Sequence, residues 1–69
     1  AELRATVRSA LAALPARERA AVVARVLEGA AYAEVAEILD CTDENARQIV
    51  SRGLRRLRAT LAPHLEAHR

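Results

Sequence analysis

The sequence predicts an all-α domain of four helices, and three observations carry that prediction. Seventeen of its 69 residues are Leu, Val or Ile, and most recur at three- and four-residue intervals rather than in alternation. Alanine fills many other positions while Phe, Met and Trp are absent, a composition suited to close helix packing rather than to a sheet. Pro15, Gly29 and Pro63 fall where apolar runs begin or stop, the places where helices are punctuated. A chain this short makes one domain, residues 1–69, with a small core and no expected ligand-sized cavity.

Leu3, Val7, Leu11 and Leu14 share one face of a first helix, expected over about residues 2–14. Pro15 restarts the chain, since proline is favoured at the start of a helix. Val22, Val23, Val26 and Leu27 then form the apolar stripe of a second helix, about 16–28, that stops at Gly29. A short third helix, about 32–39, is expected to bury Val35, Ala36, Ile38 and Leu39 and to turn Glu34 and Glu37 outward.

Asp40 and Cys41 make a tight turn. Thr42 is a good N-cap, and Asp43 and Glu44 in the first turn complement the positive end of the helix that follows. Ala46, Val50, Gly53, Leu54, Leu57 and Leu61 keep a helical period, and Pro63 disfavours continuation, so this fourth helix is expected over about 43–62. Two short helices, a three- or four-residue turn and a longer polar-faced helix make a helix-turn-helix.

The charges are divided unevenly. Residues 1–44 carry five Arg and eight acids, a net −3; residues 45–69 carry six Arg and one acid, a net +5. Arginine is the only basic side chain other than two histidines, and its planar fork suits phosphates and guanine edges. At 100° per residue, Glu44, Gln48, Ser51 and Arg55 fall within about 60° of one another, with Arg47, Arg58 and Arg52 flanking them.

That face suits double-stranded DNA. A reading helix meets bases mainly through its N-terminal turns. There Glu44 could accept from cytosine N4, Gln48 pair with adenine and Arg47 fork onto guanine. Farther along, Arg52, Arg55 and Arg58 could meet phosphate oxygens, which position a protein without reading sequence. The competing reading of any arginine-rich helix is a solvated face; the capped turn and the short helix before it favour nucleic acid.

Other classes fit less well. Cys41 has no partner cysteine, which fits a reducing, cytoplasmic setting. No run reaches the ~18 apolar residues of a membrane span, and the N-terminus lacks a signal peptide's apolar region. An enzyme is not expected: Cys41 sits beside Asp43 and Glu44, which oppose a reactive thiolate. His64 and His68 stand four apart, as some zinc sites require, but no third ligand is near, and neither metal nor cofactor is expected.

The pieces "ALPARER" (13–19), "LEGxxYxEVAEIL" (27–39) and a capped turn followed by a helix bearing Arg47 and Arg52 occur in an order that resembles region four of bacterial sigma factors, especially the extracytoplasmic-function group. The likeness spans roughly residues 3–61. It implies that the fourth helix binds the minus-35 promoter element while the domain contacts the beta-subunit flap of RNA polymerase, and that an anti-sigma factor can cover these surfaces. By position it implies DNA contacts at Thr42, Asp43, Glu44, Asn45, Arg47, Gln48, Ser51 and Arg52. Arg55 joins them on the same face, and Arg17 and Arg19 in "PARER" are candidates for phosphate contacts.

Two departures stand out. Ala31 occupies a place where relatives often put a capping Ser or Thr, a loss worth about 1 kcal/mol. Ile49 stands where many relatives carry a basic residue; core packing is its first reading and a partner-facing contact its second. Region two, which a working sigma factor needs for the minus-10 element, has no room in 69 residues, so the chain is expected to be one domain of a longer factor or to act with another protein. Two alternatives stand beside promoter reading: a protein-interaction module bound by polymerase or an anti-sigma factor, and a generic helix-turn-helix regulator, which would usually need a means of dimerising.

Overall fold

The computed structural model describes residues 2–67. Four helical elements follow in order: α1 (Glu2–Ala13), α2 (Ala16–Val22) continued without a break by a π-helical turn (Val23–Leu27), α3 (Tyr32–Leu39) and α4 (Asp43–Ala67). The architecture is all-α, as the periodicity predicts. At ~1.5 Å rise per residue α4 is about 37 Å long, and it sets the 38 Å long dimension of the molecule. The other helices pack along it, α2 and α3 most extensively and α1 less so.

The core is built from small side chains. Ala21, Ala24, Val35, Ala36, Leu39, Ala46, Ile49 and Val50 form its buried cluster, with Ala30, Tyr32, Cys41 and Leu54 packed against it. Alanines at the crossings let helix axes approach closely, and Gly53 completes the effect where α4 meets Val22 of α2. Ala10 and Leu14 bring the C-terminal end of α1 into burial. Ile49 is a core residue, 8% exposed.

Three expectations are corrected. Ile38 is 61% exposed, not buried: Val35, Ala36 and Leu39 already define the inward face of a two-turn helix, and Ile38 lies about 100° around from their centre. Val26 and Leu27 are likewise 53% and 66% exposed. The Glu28 N–H bonds the Val23 carbonyl five residues back, and this wider turn breaks the 3.6-residue period that assigned them to the stripe. Finally, α4 does not stop near Ala62 but runs through Pro63 to Ala67. Pro63 has no N–H to offer the carbonyl of Ala59, and both residues are exposed on the surface of α4, where water can take the place of the missing bond.

Candidate nucleic-acid interface

The turn between α3 and α4 is closed from both sides. Asp40 adopts the left-handed conformation (φ 53°). The Cys41 N–H reaches the Ala36 carbonyl at 2.9 Å and the Asp40 N–H the Glu37 carbonyl at 3.2 Å, the paired bonds of a Schellman ending. Two residues on, Thr42 Oγ1 accepts from the Asn45 N–H at 3.1 Å, the N-cap its sequence position predicts. The Cys41 side chain is half-buried against the core.

The start of α3 is secured differently. Ala31 has no side-chain oxygen, so only half of a capping box forms: Glu34 Oε1 accepts from the Ala31 N–H at 3.1 Å. Glu34 thereby supplies part of what a Ser or Thr at Ala31 would contribute.

α4 turns its polar face away from the bundle. Thr42, Asp43, Glu44, Asn45, Arg47, Gln48, Ser51, Arg52 and Arg55 are all exposed, whereas Ala46, Ile49, Val50 and Gly53 are buried. Gln48, Ser51, Arg52 and Arg55 line one shallow hollow on that face. Asp43 and Glu44 stand in the first turn, where the helix dipole favours negative charge, and the arginines lie farther along.

Arg17 and Arg19 take part in intramolecular bonds. Arg17 Nη1 donates to the Leu39 carbonyl at 2.8 Å, which ties α2 to the end of α3 and stands Arg17 beside the turn. Arg19 Nη1 donates to the Ala12 carbonyl at 3.0 Å, at the end of α1. Each bond satisfies a carbonyl that a helix end leaves open. Arg56, also on α4, pairs its Nε with Glu18 Oε1 at 2.9 Å.

Two residues that the sequence does not mark as candidates, Arg25 and Tyr32, join Arg47 at this surface. The Arg25 and Arg47 guanidinium carbons lie over the Tyr32 ring, 4.2 and 4.4 Å from its centroid. The only sequence-level signal was that Tyr32 is the sole aromatic residue, which does not say what stacks on it.

Among the described residues no group of three or more His, Cys, Asp or Glu side chains could hold a metal ion; His68 of the His64–His68 pair lies outside them. No described helix is long and apolar enough to cross a membrane.

No curated protein matches the chain. A family model described as "Sigma-70, region 4" matches residues 10–59, from the end of α1 through the polar face of α4. That span holds α3, the turn, α4 as far as Ala59 and every candidate DNA-contacting residue, and the chain belongs to the sigma-70 region 4 family of DNA-binding domains, which act in promoter binding and transcription initiation with RNA polymerase.

Proposed function

We propose that the domain binds the minus-35 promoter element, with the N-terminal turns of α4 in the major groove, as part of a sigma factor of the extracytoplasmic-function group in the bacterial cytoplasm. The observation that carries this reading is the unbroken exposed face from Thr42 to Arg55, raised on a turn closed by Asp40 and Thr42. Glu44, Arg47 and Gln48 face base edges there, with Thr42, Asp43, Asn45 and Ser51 beside them. Arg52 and Arg55 take phosphates farther along. Arg17, next to the turn, and Arg19 keep further N–H groups for the DNA backbone beside their helix-end bonds.

The test is fluorescence anisotropy on a duplex selected by the domain from a random library, titrated across a salt series. Three or four phosphate contacts predict a fall in affinity of roughly 40- to 150-fold between 50 and 200 mM salt. Absence of binding at low salt, with tight binding to a polymerase flap peptide, would replace DNA reading by a protein-interaction role.

That second role is favoured by one observation. Leu3, Val26, Leu27 and Ile38 are large apolar side chains left 48 to 66% exposed. They supply apolar surface for the beta-subunit flap or for an anti-sigma factor, and both can operate alongside DNA reading because these residues lie off the polar face of α4.

A further inference from the structure

We infer that Tyr32 is a positioning residue for Arg47, and that Arg25 holds the ring in place for that purpose; the inference rests on the DNA-reading role of α4. Three elements meet at this point. Arg25 comes from the π-helical turn, Tyr32 from the first residue of α3, and Arg47 from the beginning of α4. The Arg25 guanidinium is fixed at both its polar and its planar contacts: Nη1 donates to the Ala30 carbonyl at 3.0 Å, and the guanidinium carbon stands 4.2 Å from the ring centroid. The ring is half-buried against the core, so packing and Arg25 together set its place.

Arg47 depends on the ring. Its guanidinium carbon stands 4.4 Å from the centroid, while among the described residues its side chain makes no hydrogen bond or ion pair. A guanidinium held over an aromatic ring keeps its in-plane N–H fork for an outside acceptor, and the contact removes rotamers that would otherwise be lost on binding. The same site holds two positive groups over one ring. Their mutual repulsion is relieved when a phosphate or the acceptor edge of guanine arrives, so the arrangement is biased towards an anionic or acceptor-rich ligand.

The exposure of the other candidates makes the contrast. Gln48, Ser51 and Arg52 line an open hollow, with no aromatic contact to restrict them. Arg47 is the candidate reader that the fold presents in a preset direction, and Tyr32 is the residue that presets it.

The experiment compares wild type with Tyr32→Phe, Tyr32→Leu, Arg47→Ala and the Tyr32→Leu/Arg47→Ala double variant. All are titrated by anisotropy against the library-selected duplex and checked for fold by circular dichroism. Tyr32→Phe retains the ring face and should bind within twofold of wild type. Tyr32→Leu should weaken binding about two- to fivefold, the range of an exposed cation–π contact. It should weaken it no further once Arg47 is alanine, and selection with Tyr32→Leu should relax the same base position that Arg47→Ala relaxes. Unchanged binding by Tyr32→Leu, or a loss that persists in full without Arg47, overturns the inference while leaving DNA reading intact; no binding by wild type overturns both. Should Tyr32→Leu fail to fold, the wild-type Arg47 side-chain proton resonances decide: upfield ring-current shifts support the inference, and shifts of a free arginine overturn it.

Discussion

Gly53 of α4 lies directly against Val22 of α2: a Cβ at Gly53 would fall 2.6 Å from Val22 Cγ2, with the Glu18 carbonyl oxygen at 3.3 Å. Val22 is 2% exposed and branched at Cβ, so it has no room to withdraw. Gly53 is therefore the residue that sets how closely α2 and α4 cross.

Gly53→Ala should destabilise the domain despite a better helix former in α4. Replacing a helical glycine gains about 1 kcal/mol in propensity, while overpacking a filled core costs about 1 to 3 kcal/mol. The expected net loss is about 1 kcal/mol, or roughly 4 to 8 °C in melting temperature for a domain of this size. Val22→Ala is also destabilising alone, but it removes the methyl in the way. The double variant should be more stable than the two single losses predict by about 1 kcal/mol, measured by urea melts; losses that add within ~0.5 kcal/mol would show that the two residues do not compete for space.

The two left-handed positions among the described residues should respond in opposite directions. Asp40 has φ 53° and Gly29 has φ 70°, but only Gly29 carries the residue suited to that region. Nothing lies within 4 Å of a Cβ at Gly29, so Gly29→Ala meets no clash and its cost is backbone strain alone. That cost should be about 1 kcal/mol. Asp40→Gly relieves the same strain and should stabilise by several tenths of a kcal/mol, offset in part by the greater freedom of glycine in the unfolded chain. Thermal melts of both variants against wild type would reveal it; a stabilising Gly29→Ala would contradict the turn geometry.

What was legible in the sequence follows from which signals are local. Helix existence, the Thr42 cap and the separation of Gln48, Ser51 and Arg52 from Val50 depend on periodicity and on bonds three residues long, and these are written in consecutive residues. Ile38, Val26 and Leu27 depart from the periodicity because an apolar residue near a stripe looks buried until the width of the covered face is known, and the π turn alters that face without any sequence mark. α4 continues past Pro63 where Ala59 and Pro63 are both exposed, a setting that the order of residues does not record. The contacts of Arg17 with Leu39 and of Arg47 with Tyr32 are tertiary, between elements whose approach is set by the whole bundle. An arginine free to meet phosphate and one occupied within the fold look alike in the sequence.

That likeness makes the arginines of α4 a discriminating set. Arg52 lines the open hollow beside Gln48, whereas Arg56, although 61% exposed, has its Nε 2.9 Å from Glu18 Oε1. Arg52→Ala should lower DNA affinity on every duplex and reduce the magnitude of the salt slope by about 0.9, the loss of one phosphate contact. Arg56→Ala should leave that slope near wild type and instead lower the melting temperature, because it strands a Glu18 side chain only 12% exposed. Gln48→Ala should leave the slope unchanged and act at one base position, where a bidentate contact is worth about 1 to 3 kcal/mol of discrimination. Anisotropy titrations on the selected duplex and on its single-base variants separate the three. An equal loss on all duplexes for Gln48→Ala would remove it from base reading, and a reduced slope for Arg56→Ala would mean that DNA draws its guanidinium away from Glu18.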